Sequence, residues 1–407
     1  MQFIAKRLFS NKNQSNASAT APATLVATLS VMLSVFVMLI ASGIVLGYQK
    51  EVEQKIVGFS AHLKLLNIHA LQVPEAYPIY LPPYLEQKIK DIPGVAHIQK
   101  VSSKKGVIKT FDQCSPITLK GITTQHDTTF LHNALVEGRL PSLDTLSSSS
   151  EILISRQKAK ELNLEVGSRI YAYFFEQSIK TRRFTISGIY ETHLKNFDET
   201  HVITHAKTVN QLNKWAQNQY GEIEIILQEG GEGNNVKQQA LHALAAFPNI
   251  SVLTANELYP QVFSWLNMLN LNAWVVLVLM LGVAIFTMIS GTFILILEQT
   301  QTIGTLSALG STQQQLQRLF FAIALKIALR GLCFGNIIAL VTSFVIKHTN
   351  WFALDPATYY LDHVPMLISW SSWILINVIS LLIILAALLV PTSIVAYIQP
   401  SKVIRFE

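Results

Sequence analysis

Charge is scarce in this chain: of 407 residues only 14% are Asp, Glu, Lys or Arg, while 50% are hydrophobic. A soluble domain carries about a quarter charged residues, so an ordinary soluble protein is excluded and membrane spans come first. Cysteine is scarcer still. Cys114 stands in a mixed polar segment and Cys333 inside a long apolar run, which excludes a disulfide between them and a cysteine-stapled scaffold. The sequence signatures of catalysis are missing too. No G-x-x-x-x-G-K-[ST] phosphate loop occurs, and "GGEGNN" lacks the lysine and hydroxyl such a loop uses, so this chain cannot hydrolyse ATP alone. H-E-x-x-H, C-x-x-C and G-x-S-x-G are absent as well. "HVITH" spaces His201 and His205 four apart, but the surrounding pattern is that of a strand, which does not close such a pair on a metal.

What is present is apolar length. Leu25–Gly47 carries no charge, and neither does Ala273–Leu297; Leu319–Ile346 contains Lys326 and Arg330; Ile368–Ile398 has Pro391 near its end. Each run is long enough to cross a bilayer as a helix. The first is too long for a removable signal and no small-residue cleavage site follows it, so it reads as a retained anchor.

The net charge of +6 is unevenly placed. Residues 49–268 hold 22 basic and 21 acidic side chains, whereas the rest of the chain holds 9 and 4. Lys6, Arg7 and Lys12 precede the first run, and Lys402 and Arg405 follow the last. By the positive-inside rule both termini and the 298–318 loop are cytoplasmic, and the large segment lies outside. The basic balance therefore reports topology, and no nucleic acid is expected as a partner.

These boundaries predict a membrane protein of four transmembrane α-helices with a large α/β periplasmic domain inserted between the first and second. Residues 1–24 form a cytoplasmic amphipathic segment and linker, 25–48 the first span, and 49–268 the α/β domain with helical stalks. Residues 269–297, 319–347 and 368–398 form the later spans. They are joined by 298–318 inside and 348–367 outside, and 399–407 end the chain. Val52, Ile56 and Phe59 continue the first span outward at helical spacing, and Thr254 with Glu257 reads as a capping box leading into the second. "HLKLLNI", "EILIS", "RRFTISGIYET" and "GEIEIIL" read as strands; "SLDTLSSSS" and "QEGGEGNN" read as exposed loops.

The 298–318 loop, "EQTQTIGTLSALGSTQQQLQR", has more pattern than a connection needs. Ile303, Leu306 and Leu309 recur every three residues as one apolar stripe, Gly310 offers a left-handed stop, and Ser311 with Gln314 reads as a capping box. The segment is either an amphipathic turn on the lipid surface or a docking element. Lys326 and Arg330 sit one turn apart inside a span, a placement that marks function or a side chain reaching back to the headgroups. "GIVLG" (Gly43, Gly47) and "GLCFG" (Gly331, Gly335) would allow close helix packing.

Taken together these residues resemble, over essentially the whole chain, the four-span permeases of ABC transporters of the lipoprotein-releasing and FtsX-like type. Glu298, Ile303, Gly304, Leu306, Ala308, Leu309 and Gly310 match that family's coupling segment, whereas Gln299, Thr302 and Ser307 stand where it carries charge. "VPTSIVAYIQPSKVIRFE" is similar to the family's closing motif, and "YYLDHVP" points to the lipoprotein-releasing branch. "VEGRLP" and the strand–helix–strand after it resemble the periplasmic core shared with macrolide-efflux permeases.

The resemblance implies a permease subunit of the inner membrane without enzymatic activity of its own. ATP and Mg would be bound by a cytoplasmic ATPase dimer docking on Glu298, Ile303, Gly304, Leu306, Leu309 and Gly310. A second permease subunit, identical or not, a lipoprotein substrate, a periplasmic carrier and membrane lipids complete the implied partners. Work would pass by mechanotransmission, from the ATPase through coupling helices and stalks to the outer domain. Efflux by the same mechanics, and a non-transporting regulator of cell-wall hydrolases, are the alternatives. A lipidated substrate would need an apolar cleft between subunits. Val37, Ile40, Ile44 and Tyr48 of the first span, with Met268, Leu271 and Val275 of the second, fall at helical intervals and at the required depth.

Overall fold

In the computed structural model, residues 20–72, 77–110, 113–143, 150–175, 179–216, 218–228, 230–349 and 352–394 are described. The expected amphipathic helix at residues 2–9 and the cytoplasmic ending at 399–407 lie outside them. The chain divides into two compact units. One gathers residues up to Lys50, Trp265–Ala353 and the chain from His363; the other gathers Glu51–Ser264 and Leu354–Asp362.

The helical unit is built from long helices. Thr20–Phe59 (whose last turns belong to the other unit), Pro260–Glu298, Gln313–Thr349 and Trp370–Ile394 are each long and apolar enough to cross a membrane. In such sequence a helix is the stable choice because it satisfies every backbone hydrogen bond internally. The first and third helices pack at small residues. A Cβ at Gly331 would meet the Val31 side chain at 2.7 Å and the Thr28 carbonyl at 3.0 Å, and one at Gly335 would meet the Met32 carbonyl at 2.8 Å. These contacts advance together along both helices, so the two run parallel. Ser30 meets Thr287 at 2.8 Å and Gln49 donates to the Leu266 carbonyl at 3.1 Å, which makes the first and second antiparallel. The Leu367 amide donates to the Gly43 carbonyl at 3.1 Å, seating the entry to the fourth helix on the first.

Third and fourth helices are joined by a polar clasp in apolar surroundings. Asn336 and Asn377 exchange side-chain amide hydrogen bonds at 2.6 and 3.0 Å, and the Trp373 indole donates to Asn336 Oδ1 at 2.6 Å. Around these contacts Val31, Val35, Leu39, Met288, Ala328 and Ile384 form the core.

The other unit is α/β. Its strands are β1 (Leu63–Asn67), β2 (Ile79–Tyr80), β3 (Val95–Lys109), β4 (Cys114–Ile122), β5 (Leu135–Gly138) and β6 (Glu151–Ser155). They continue with β7 (Arg169–Phe175), β8 (Ile179–Tyr190), β9 (His201–His205), β10 (Gln219–Tyr220), β11 (Glu222–Leu227) and β12 (Ile250–Thr254). The main sheet runs β12-β1-β11-β3-β4-β9-β6-β8-β5, with β7 paired to β3 and β8. Two apolar clusters serve it. Leu63, Leu65, Ile223, Ile225 and Val252 pack under helices Pro83–Lys90 and Gly233–Ala243. Ile108, Leu119, Ile154, Phe174, Phe184 and Val209 form the second. The strand readings hold. In "QEGGEGNN" the expectation of a loop is corrected: Gly233, Asn234 and Asn235 already belong to a helix, because Val236 and Ala240 supply a buried face at four-residue spacing.

Period-two alternation puts charge on the face opposite the first cluster. Lys64 lies between Leu63 and Leu65, and Glu222 and Glu224 flank Ile223. In the antiparallel β1–β11 register Lys64 pairs with Glu224 and Leu66 with Glu222.

Candidate functional site

The 298–318 segment folds as a helix–turn–helix connection. After Glu298 a short helix, Thr300–Ala308, ends at Gly310, whose φ is +92°. The Gly310 amide donates to the Ser307 carbonyl at 3.1 Å and the Ser311 amide to the Leu306 carbonyl at 3.0 Å, a Schellman closure. That closure corrects the expected cap at Ser311 and Gln314. Ser311 is engaged in ending one helix and cannot begin the next, so the reciprocal cap forms one residue later. The Thr312 amide donates to Gln315 Oε1 at 3.0 Å and the Gln315 amide to Thr312 Oγ1 at 3.4 Å.

The expected single stripe is also divided. Ile303 is 2% exposed and Gly304 buried, Leu306 is half-buried against the helical core, and Leu309 is 79% exposed. Residues three apart drift backwards by about 60° per step on a helix, so Leu309 has turned off the face that Ile303 occupies. The outward surface consists of Gln301, Thr305, Ala308 and Leu309. Glu298 is half-buried, and its Oε2 has no hydrogen-bond partner among the described residues.

A cavity of about 210 Å³ opens among the first, second and fourth long helices, lined by Ser42, Leu46, Trp274, Val278, Leu375 and Ile379 among others. None of the seven residues expected at a cleft lines it. Met268, Leu271 and Val275 lie on the exposed surface of the second helix, and Val37, Ile40 and Ile44 are half-buried. Tyr48 is buried, its ring edge-on to Trp265 at 5.5 Å. The expected faces and the cavity faces thus belong to different sides of the same helices. Lys326 and Arg330 are both exposed on the third helix.

The sheet unit holds a buried ionic cluster at the end of the first long helix. Lys120 Nζ lies 2.9 Å from Glu224 and donates to the Phe59 carbonyl; Lys64 Nζ lies 2.8 Å from Glu222 and 3.1 Å from Glu224. Burial opposes the charge on Lys64, but Glu222 and Glu224 outweigh it and raise the Lys64 pKa well above its ordinary value. At Lys120 burial prevails over the attraction of Glu224, and the pKa is lowered. The Phe59 ring sits among Phe130, Tyr190, Phe197 and His201, with Lys120 Nζ 5.0 Å from its centroid. Next to this socket Ser60 meets the Tyr259 hydroxyl at 3.0 Å, one residue before the second long helix begins. The Thr254–Glu257 capping box is present, and Lys237 braces Glu257 at 2.5 Å.

The segment Leu354–Asp362 is held on the same unit. Lys55 Nζ donates to the Tyr360 carbonyl at 2.9 Å and His193 Nε2 lies 3.0 Å from Asp362. His193 has a left-handed backbone (φ +62°), held by Asp198, which accepts from the amides of Thr192 and His193 and from the Thr192 hydroxyl. Sequence reasoning missed this whole assembly. Its one available signal was the charge alternating inside apolar strands, in "HLKLL", "ITLKGI" and "GEIEII". His201 and His205 go separate ways, to Thr200 Oγ1 at 2.9 Å and to the Leu143 carbonyl at 2.9 Å. Among the described residues no group of three metal-ligating side chains is found.

Comparison with known proteins agrees with this architecture. The family model for the MacB-like periplasmic core domain matches residues 24–243, and that for the FtsX-like permease C-terminal region matches 274–400. The lipoprotein-releasing system transmembrane protein LolE of Haemophilus influenzae is 19% identical over 385 residues, 90% of each chain. The corresponding LolC of Xylella fastidiosa is 20% identical over 388 residues, 91% of each. The crystal structure of the periplasmic region of MacB from Actinobacillus actinomycetemcomitans is 13% identical, covering 51% of this chain and 95% of that one with a TM-score of 0.36. The core-domain match alone takes in more than half of the chain, which therefore belongs to the FtsX-like permeases with a MacB-like periplasmic core domain.

Proposed function

We propose that this chain is a permease subunit of an ABC transporter that releases lipoproteins from the inner membrane towards a periplasmic carrier, working by mechanotransmission. The observation that carries the reading is the alignment, over 90% of each chain, with a protein named for lipoprotein release. ATP and Mg are held by a separate cytoplasmic ATPase dimer, and a second permease subunit completes the membrane part. The ATPase docks on the outward surface of helix Thr300–Ala308, where Leu309 is the exposed apolar side chain. Both termini are cytoplasmic. The joint at Phe59 supports mechanical transmission, because it ties a helix end to three strands through buried charge. The substrate cleft is assigned to Val37, Ile40, Ile44 and Tyr48 with Met268, Leu271 and Val275, completed by the second subunit.

The test is ATP-dependent release of a radiolabelled lipoprotein from spheroplasts carrying the complex. Leu309→Asp should abolish release and loosen the ATPase in copurification while the protein still reaches the membrane. Leu306→Asp is a less clean variant because Leu306 is half-buried in its own core. Wild-type complex that exports a drug but releases no lipoprotein would move the reading to efflux. Unimpaired assembly and release in the Leu309→Asp protein would remove the docking surface.

A further inference from the structure

Lys326 and Arg330 are the charged residues between Arg318 and Lys347 on the third long helix. Both are exposed, and no acidic side chain among the described residues lies within ion-pair distance of either. Their depth follows from helix packing. Gly331 sits against Thr28 and Val31 of the parallel first helix, and Gly335 against Met32 and Val35. The apolar run of the first helix begins at Leu25. Arg330 is therefore about one turn inside that run, and Lys326, one turn nearer the helix start at roughly 6 Å of rise, is close to level with Leu25. Long basic side chains at this depth carry their charges to the headgroup boundary.

On the other side of Arg330 the exposed side chains become apolar. Phe334, Ile337, Val341 and Phe344 are all exposed and recur at spacings of three and four, forming one continuous strip. Two cations at phosphate depth followed by an apolar strip have the outline of a phospholipid: head, then chain. Two positive charges favour an anionic head over a zwitterionic one. We propose that Lys326 and Arg330 bind the phosphate of an anionic phospholipid whose acyl chain lies along Phe334, Ile337 and Val341. The leaflet is the cytoplasmic one, given the side on which the third helix starts. This site is separate from the substrate cleft, on a different helix and at the opposite depth, and does not depend on what the complex transports.

Native mass spectrometry of the full chain, purified in mild detergent with the partners that accompany it, tests the site. The protein is mixed with phosphatidylglycerol or phosphatidylethanolamine of equal chain length. Wild type should retain phosphatidylglycerol with a preference of about tenfold or more, as two cations near an anionic headgroup provide. K326Q/R330Q should lose that preference, and K326R/R330K should keep it. Equal retention of the two lipids by wild type, or an undiminished preference in K326Q/R330Q, overturns the proposal. A photo-crosslinking residue at Ile337, with both cations in place, gives a reading that does not depend on the charge variants folding. Capture of lipid in native membranes supports the site, whereas capture of another protein chain assigns this face to a subunit interface and overturns it.

Discussion

Lys120 on β4 donates its buried ammonium to the main-chain carbonyl of Phe59, the last residue of the first long helix. Carbonyls at a helix C-terminus lack intrahelical partners, and a cation there also meets the negative end of the helix dipole. The same ammonium pairs with Glu224 on β11, which Lys64 on β1 shares. One helix end is thus bound to three strands through two lysines and two glutamates.

Lys120→Ala should be costly for that reason. It removes the cation over Phe59 and leaves Glu222 and Glu224 with Lys64 alone. Breaking a buried pair from one side costs on the order of 3–5 kcal/mol. A fall in the thermal unfolding temperature of the purified protein is the expected result, with partial recovery in Lys120→Met/Glu224→Gln. A melt unchanged from wild type would mean that the cluster contributes nothing to stability.

Asp362 and His193 give a second expectation. If the 3.0 Å contact and the bond from Lys55 to the Tyr360 carbonyl hold the segment Leu354–Asp362, its amides should be protected from hydrogen exchange. His193→Ala should speed exchange in that segment while leaving the β6 and β9 amides unaffected. Uniform acceleration across the sheet would instead indicate general destabilisation.

The pH dependence of stability is led by three groups, and the lowered pKa values of His62, Asp127, Glu151, Glu161 and Glu257 add to the loss at low pH. Burial, then the positive charge of Lys120, holds His126 down from 6.5 to about 3. Burial, then Lys120 and Lys64, holds His201 down to about 4. Their contributions are therefore complete above pH 6.5 and are lost as the pH falls towards those values. Asp198 acts in the opposite direction, because burial raises it from 3.8 to about 6 despite its hydrogen bonds from Thr192 and His193. Its contribution is complete below 3.8 and is lost as the pH rises through 6. Between pH 6.5 and 4 two histidines outweigh one aspartate, so the protein should melt lower at pH 4.5 than at pH 7. Thermal scans at both values should show the fall steepened by Asp198→Asn and flattened by His201→Gln.

Asn336 and Asn377 should behave as a unit. Asn336→Leu strips partners from both the Asn377 amide and the Trp373 indole, at a cost of about 1–2 kcal/mol by the measured range for such bonds in membranes. Asn336→Leu/Asn377→Leu should recover part of the loss, since only the indole is then left unpaired. Fluorescence-detected size exclusion after a heating series reads the order of wild type, double variant and single variant; a double variant less stable than Asn336→Leu would contradict it.

Sequence by itself determined the elements whose signals are local. Long apolar runs produced four long helices because the backbone in lipid has no other partner. Alternation of apolar and charged residues marked β1 and β11, and a short continuous apolar run marked β6, which is buried on both faces. The Thr254–Glu257 cap and the stop at Gly310 were legible because each involves residues only a few positions apart. What the chain does with its helix faces was not. Ile303 and Leu309 look equivalent in sequence, and a drift round one short helix sends the first into the core and the second outward. The cavity took faces of the first and second helices other than those their apolar spacing suggested, because an all-apolar helix has no intrinsic inner side. Lys64, Lys120, Glu222 and Glu224 are scattered over the chain, and only the order β1-β11-β3-β4 lets their side chains meet. Tertiary structure decided these matters because each is a contact between distant segments, and such contacts depend on which surfaces pack together rather than on the pattern within any one of them.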